Sequence, residues 1–176
     1  MKRRFLTVTA LVLCAMLLFG ACGSKKKVAE GPEDTSLYNA VGEFPIAKET
    51  VELTFFSQDV PAIIDLETNE FTKYLEEKTN IKVNWELTPQ DGVETNLNLL
   101  LASDDYPDVF YALGIKGEIL DKYGGPEKVF MPLNTLIDEQ MPNFQKVLQE
   151  YPGIDGELRS EDGNIYSFPS MNEYTH

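Results

Sequence analysis

Histidine and cysteine are scarce in this chain of 176 residues, which contains one His and two Cys. The histidine is His176, the last residue, so nucleophile systems built on Ser–His or Cys–His, and histidine-rich zinc sites, have almost no basis here. The sequence also lacks G-x-S-x-G, H-E-x-x-H and C-x-x-C motifs, a phosphate-binding loop and a dinucleotide fingerprint. Acidic residues are plentiful, but no feature supports a glycosidase-type carboxylate pair. We therefore predict that the protein is not an enzyme and uses no cofactor and no metal.

Basic residues are also few, with 15 Lys and Arg against 29 Asp and Glu, for a net charge of −14. Such an excess of negative charge argues against nucleic acid as a partner and against general adhesion to anionic membranes. It is typical of a soluble exported protein, which we expect to be a monomer.

One long apolar run is present, from Phe5 to Phe19, and it follows the basic start Met1-Lys2-Arg3-Arg4. It is shorter than the roughly 20 residues that a membrane-spanning helix needs. Gly20 and Ala21 then lead into Cys22. A basic region, an apolar region and small residues at the cleavage point are typical of a secretory signal peptide, here residues 1–21.

The cysteine after the small pair adds a more specific signal. The segment resembles the lipobox of bacterial lipoproteins, with Phe19 where Leu is usual, and this resemblance implies a diacylglyceryl group on Cys22. Cys14 is not a rival because bulky Leu13 precedes it. A membrane-spanning anchor or a plain secreted protein are the alternatives. Lipidation predicts attachment to the extracellular face of the bacterial cell membrane.

Without the signal peptide, the chain has 12 basic and 29 acidic residues and a net charge of −17, and Cys22 is its one cysteine. An intramolecular disulfide is then impossible, so the fold depends on its core. Residues 22–48 show little helical or strand periodicity and are predicted to form a flexible tether. Lys25–Lys27 within it are either a solvated run or a contact with anionic headgroups.

From residue 49 the pattern alternates between strands and helices. Val51–Phe56, Ile81–Leu87 and Asp108–Ala112 read as strands, and helices are predicted around Glu70–Thr79, with Phe71, Tyr74 and Leu75 as its apolar face, and from Val93 to Leu101. Asn80 fits a left-handed helix cap. Because such alternation implies βαβ crossovers, we predict an α/β fold with a parallel sheet flanked by helices.

Further elements follow this alternating region. Short helices are predicted over Ile115–Tyr123, from Leu133 to Ile137, and from Phe144 to a stop before Pro152. Asp162-Gly163-Asn164 reads as the turn of a hairpin.

Several segments together resemble a known family, in this order: the lipobox, VELTFFSQD, NEFTKYLEEKTN, IKVNWELTP, SDDYPDVFYA, PLNTLIDEQMPNFQKVL and EDGNIYSFP. The ordered set is similar to the N-terminal part of extracellular solute-binding lipoproteins of carbohydrate ABC transporters, in a Gram-positive oligosaccharide-binding subgroup. The resemblance implies a type II periplasmic-binding-protein-like fold, in which two lobes close on a sugar or oligosaccharide and present it to an ABC transporter permease.

The resemblance also implies that residues 49–170 form a partial N-terminal lobe and that residues 171–176 begin the crossover to a second lobe, which is missing. A fragment, a split gene and a truncated reading frame all fit this pattern. We expect weak or no affinity from such a lobe. The alternative function is a surface lipoprotein without transport, with a structural or interaction role or a decayed binding lobe.

Ligand-binding candidates follow from the predicted sheet, because ligands lie beyond the carboxyl ends of parallel strands. Ser57, Gln58 and Asp59 follow the first strand, and Tyr111 ends the third; their amide, carboxylate and aromatic groups suit sugar hydroxyls and ring faces. The family resemblance adds Asn172, Glu173 and Tyr174 near the crossover. Asp59 is equally suited to capping a loop, and Tyr111 to packing at a strand end.

Three further features have simpler structural interpretations. Gln90 and Asp91 are expected to begin a helix rather than bind a ligand. Trp85 lies on the apolar side of its strand, so we assign it to the core with little ligand contact. Asp104, Asp105 and Asp108 do not match the spacing of a calcium loop and are expected at a solvated helix end.

Overall fold

A computed structural model describes residues 35–60 and 65–170. Its centre is a parallel sheet of three strands: β1 (Val51–Gln58), β2 (Ile81–Thr88) and β3 (Val109–Tyr111), in the order β2-β1-β3. The predicted α/β fold with a parallel sheet is thereby confirmed. Since β1 is central, the chain leaves it first toward β2 and then returns past it to β3. The two connections therefore diverge from β1, and the edge between β1 and β3 is a topological switch point.

Six α-helices occur among the described residues: α1 (Glu70–Thr79), α2 (Val93–Ser103), α3 (Gly117–Gly124), α4 (Asn134–Gln140), α5 (Pro142–Glu150) and α6 (Pro152–Leu158). Short 3-10 turns occupy Thr35–Leu37 and Gln90–Gly92. In the part of the chain that the structure describes, no helix has the length and apolar character needed to cross a membrane. The predicted signal peptide, Cys22 and residues 171–176 lie outside the described residues.

The sequence pattern misses α6 because it treats Pro152 as a helix stop. Pro142 and Pro152 instead occupy the first turns of α5 and α6. Proline suits that position because its missing N–H would have no partner inside the helix. The chain therefore ends α5 and begins α6 within two residues, at Tyr151. The predicted turn at Asp162–Asn164 is present, but it joins a single antiparallel bridge, Arg159 with Ile165, rather than two strands.

Ordered structure is already present within residues 22–48, the segment that the sequence predicts to be a flexible tether. Tyr38 and Ala47 form an antiparallel bridge, and Ala47 is fully buried. The Ala47 N–H donates to the Thr79 carbonyl at 3.0 Å, and its own carbonyl accepts from Asn80 Nδ2 at 2.9 Å. These backbone bonds give the segment order without any helical or strand periodicity, which is why its sequence pattern does not reveal it.

The buried core lies on one face of the sheet and extends to the final turn of the described residues. Phe56 is buried and meets Phe110 edge to face at 6.2 Å between centroids, and Phe110 meets Phe130 at 5.7 Å. Leu97 and Leu101 of α2 are buried as their spacing predicts. By contrast, the predicted apolar face of α1 is exposed, and Phe71 retains 67% of its surface. The buried side chain of α1 is Thr72, so periodicity located an apolar stripe that no described residue covers.

Asn80 ends α1 in the left-handed conformation that its position predicts, with φ of 58°. We expect Asn80→Ala to destabilise the fold by about 2 kcal/mol, because it adds strain at this φ and removes the bond to Ala47. Asn80→Gly tolerates the φ and loses only the side-chain bond, so its cost should be about 1 kcal/mol. Urea unfolding of both variants measures the difference, and equal midpoints for Ala and Gly would contradict the backbone part of this argument.

Candidate functional site

The carboxyl edge of the sheet brings together side chains from two neighbouring strands. Gln58 ends β1 and Tyr111 ends β3, and Gln58 Nε2 donates to the carbonyl of Ala112 at 3.4 Å. Gln58 is half-buried, and Tyr111 is 47% exposed. Ala112 has φ of 52°, an uncommon conformation for a residue with a side chain. The predicted candidates Gln58 and Tyr111 therefore end neighbouring strands at the switch point, and Gln58 bonds the residue that follows Tyr111.

Ser57 and Asp59 are placed differently from each other, although they flank the same residue. Ser57 lies inside β1 and is 3% exposed, with its hydroxyl directed to the Gln58 carbonyl at 3.5 Å. The sequence pattern places Ser57 in a polar exit after the strand, but β1 continues to Gln58 and buries it. Asp59 is exposed, and its backbone N–H donates to the Thr88 carbonyl at 2.8 Å, which holds it beside the end of β2.

A group of three aromatic rings covers the other face of the sheet. Phe55 lies 5.5 Å from Trp85 and 5.8 Å from Tyr111, and the Trp85 and Tyr111 rings are 5.6 Å apart. Because alternate residues of a strand share a face, and Phe55 pairs with Trp85 in register, these rings stand on one side. These rings form an aromatic cluster on this face that extends to the carboxyl edge, where Tyr111 is exposed to solvent.

Trp85 differs from its predicted role as a core residue. It is half-buried and lines a cavity of about 150 Å³ together with the exposed Asp59. The alternation of β2 identified its face correctly, but the described residues leave that face only partly covered. The strict spacing of β2 could not show this, because periodicity predicts which residues share a face and not what lies against them.

Asp65 also lines this cavity, and it lies in the turn that precedes α1. The Thr68 hydroxyl and the Glu67 N–H donate to its carboxylate, the latter at 2.8 Å, and the Thr68 hydrogen bond above all lowers the pKa of Asp65. Asp65 therefore stays ionised well into acid. No signal in the sequence singled out this residue, because only the fold brings it next to β2.

Gln90 and Asp91 lie in the 3-10 turn that leads into α2, as the sequence predicts, but neither caps the helix with its side chain. Of the acidic group after α2, Asp104 accepts from the Tyr106 hydroxyl at 2.9 Å and Asp108 accepts from the Thr54 N–H at 2.8 Å. Burial and the Asp104 bond raise the pKa of Tyr106 to about 12. Among the residues described, no group of three or more His, Cys, Asp or Glu is placed to hold a metal ion.

A second cavity, of about 450 Å³, lies between α4, α5 and α6, far along the chain from the sheet edge. Its basic side chain, Arg159, is already engaged: it bonds Asp155 at 2.7 and 2.8 Å and the Gly163 carbonyl at 2.9 Å. The Arg159 hydrogen bond lowers the pKa of Asp155, so the pair stays ionised. This cavity lies between helices and its one basic side chain is already paired, which makes the sheet edge the better candidate site.

Comparison with known proteins places this geometry in a family. The chain is 32% identical over 177 positions to the fructooligosaccharide ABC transporter substrate-binding protein FusA of Streptococcus pneumoniae, covering 98% of this chain and 31% of that protein. It thus spans about a third of the length of this relative. No family model matches the chain.

Solved structures agree with this relationship. A mutant of FusA of Streptococcus pneumoniae in complex with fructo-nystose superposes with a TM-score of 0.62 at 31% identity, over 70% of this chain and 25% of that one. The alginate-binding protein AlgQ2 gives 0.60 at 26% identity, over 73% and 26%. A solute-binding protein of Bifidobacterium longum infantis shares the fold, with a TM-score of 0.56 at 20% identity over 68% and 23%.

The predicted type II periplasmic-binding-protein-like fold and the predicted family resemblance are both confirmed by these relatives, of which FusA is a transport protein by name. This chain is similar in sequence and in fold to FusA, a fructooligosaccharide ABC transporter substrate-binding protein, and it matches part of that protein's length.

Proposed function

We propose that this chain contributes to capture of an oligosaccharide for an ABC importer, as a lobe whose ligand edge is formed by Gln58, Asp59 and Tyr111. The observation that carries the proposal is that Gln58 and Tyr111 end the neighbouring strands β1 and β3 at the switch point, where Gln58 also bonds the Ala112 carbonyl. An amide that both donates and accepts, a carboxylate and a half-exposed phenol ring suit sugar hydroxyls and one ring face.

The remaining parts of the proposal follow from the sequence and from the relatives. Lipidation at Cys22 would hold the protein at the extracellular face of the membrane and raise its effective concentration at the permease. Asn172, Glu173 and Tyr174, which lie outside the described residues, would border the cleft near the crossover. The protein would act by binding and release, without catalysis.

Thermal unfolding of the chain from Ser24 to His176, with and without a panel of oligosaccharides, tests this function. A ligand that binds only the folded state must raise the unfolding temperature. We expect one class of glycan to do so, with weak affinity. An unfolding temperature that no glycan raises would contradict sugar capture by this chain alone and would assign the transport function to a longer parent protein.

Tyr111 provides the sharper variant. We expect Tyr111→Ala to weaken sugar binding about fivefold in calorimetric titration, because an aromatic contact contributes on the order of 1 kcal/mol. Tyr151→Ala is the matched control, since Tyr151 is 49% exposed, close to the 47% of Tyr111, and lies between α5 and α6. Equal affinities of the two variants would remove Tyr111 from the site.

A further inference from the structure

Ala112 has a backbone conformation that its residue type does not favour. It directly follows Tyr111, the last residue of β3, and its φ is 52°. Left-handed backbone is unfavourable for any residue with a Cβ atom, and Gly is the usual residue there. The chain has Ala at this position and Gly two residues later, at Gly114, where φ is 60°. Strained backbone of this kind is concentrated at functional sites, where the surrounding contacts maintain it.

Gln58 is the residue of β1 that lies beside this turn. In the register of β1 and β3, Gln58 is next to position 112, where the chain leaves the sheet. On its other side Gln58 pairs with Thr88 of β2, and the N–H of the following residue, Asp59, donates to the Thr88 carbonyl at 2.8 Å. The backbone of Gln58 is therefore held by β2, and its side chain joins β1 to the turn after β3.

The hydrogen bond between Gln58 and Ala112 has one possible polarity. A carbonyl oxygen only accepts, so the amide atom that faces Ala112 must be Nε2, which donates at 3.4 Å. Oε1 of the same planar amide is then the atom left to accept a hydrogen bond from an incoming hydroxyl. Because 3.4 Å is long for an N–H···O bond, a small change of the backbone at residue 112 is sufficient to break it.

We propose that Ala112 is a positioning residue for sugar binding. Its left-handed backbone places the carbonyl that orients the Gln58 amide, so that Gln58 meets the sugar as an acceptor and Oε1 accepts from one hydroxyl. Ala112 itself is exposed and has only a methyl group as its side chain, so it acts through Gln58. This inference rests on the proposed sugar-binding function and assigns the hydrogen-bonding role of Gln58 within it.

Two substitutions at residue 112 separate its backbone conformation from its side chain. Ala112→Gly tolerates the positive φ, so the affinity for sugar should stay within about twofold of the wild type. Ala112→Val introduces a β-branched residue, which is a rare outlier at positive φ, so the turn should change and the bond from Gln58 should be lost. Affinity should then fall about fivefold, which corresponds to one hydrogen bond of about 1 kcal/mol. Calorimetric titration of the full chain with fructo-, malto- and xylo-oligosaccharides measures both effects.

Asp104→Val is the matched control for backbone strain alone. Asp104 is also exposed and has φ of 59°, but it follows α2 and precedes β3, so it lies toward the amino edge of the sheet, opposite to Gln58. Its replacement by Val should lower the unfolding temperature, as Ala112→Val does, and leave the affinity for sugar within about twofold. An equal loss of affinity in the two variants would show that strain acts through general stability and would overturn the positioning role.

Two further readouts test whether residue 112 acts through Gln58. Adding Ala112→Val to Gln58→Leu should cause no further loss of affinity, because the amide is already absent. In nitrogen-15 NMR spectra, the side-chain amide protons of Gln58 should exchange with solvent more slowly than those of the exposed Gln149 in the wild type and in Ala112→Gly, but not in Ala112→Val. Independent losses in the double variant, or unchanged Gln58 exchange in Ala112→Val, would overturn the proposal.

The outcomes distinguish this proposal from the function on which it rests. Heat of sugar binding with equal affinity in the wild type and in Ala112→Val would overturn the positioning role and leave sugar binding intact. No heat with any of the oligosaccharides would overturn the proposed function and the positioning role together.

Discussion

Gly124→Ala should destabilise the fold by about 2 kcal/mol and lower its unfolding temperature by roughly 4–8 °C. Gly124 ends α3 and is buried beneath the Tyr166 ring, where a Cβ atom would lie 2.6 Å from three ring carbons. The ring cannot move aside freely, because the Tyr166 hydroxyl donates to Asp162 Oδ2 at 2.6 Å and accepts from Asn164 Nδ2 at 3.2 Å. The cost of overpacking therefore exceeds the gain in helix propensity that Ala provides.

Gly117→Ala is the matched control within the same helix. A Cβ there meets no heavy atom within 4 Å, so this variant should be neutral or stabilising by up to about 1 kcal/mol. Adding Tyr166→Leu to Gly124→Ala should cost less than the sum of the two separate losses, because the clashing ring is removed. Calorimetric unfolding compares the four variants with the wild type, and equal stability of Gly124→Ala and Gly117→Ala would contradict the packing argument.

Cys22→Ser should abolish attachment of the protein to the membrane. A serine hydroxyl cannot form the thioether that the lipobox resemblance implies, and without its two acyl chains the acidic chain has little affinity for an anionic bilayer. In a bacterium with a lipoprotein pathway, radiolabelled palmitate should be incorporated into the wild-type chain and be absent from the variant. The wild-type protein should partition into the detergent phase, and the variant into the aqueous phase.

Cys14→Ser is the control for this experiment, since Cys14 lies within the apolar run and follows Leu13. It should keep both label and membrane attachment. Palmitate that persists in Cys22→Ser would exclude lipidation at Cys22. A wild-type chain that never takes up label would favour the alternatives of a secreted protein or a spanning anchor.

Strands and long helices were predictable because each carries its own periodicity. The alternation of Ile81, Val83 and Trp85 located β2, and the spacing of Leu97 and Leu101 located α2 and its buried face. Asn80 was predictable for a local reason too, since a residue at a left-handed helix end is commonly Gly or Asn. α6 was missed because proline, which lacks a backbone N–H, can follow the end of one helix and also occupy the first turn of the next.

The candidate site was predictable in part. Gln58, Asp59 and Tyr111 were identified from their positions after predicted strands, since parallel strands bring their carboxyl ends to one edge. Ser57 was placed after the predicted strand, whereas β1 continues two residues further, to Gln58, and buries the Ser57 side chain. Asp65 and Trp85 could not be assigned to the edge, since their proximity depends on how the turn before α1 returns to β2.

The sequence by itself determined the α/β alternation, the acidic character of the chain and the resemblance to sugar-binding solute-binding proteins, because these depend on composition and on local or ordered patterns. The tertiary structure alone decided that Gln58 and Tyr111 end neighbouring strands at one edge, that Thr72 rather than Phe71 is buried in α1, and that Trp85 is only half-buried beside a cavity. The physical reason is that periodicity states which residues share a face, whereas burial and charge at a site depend on contacts between segments distant in the chain.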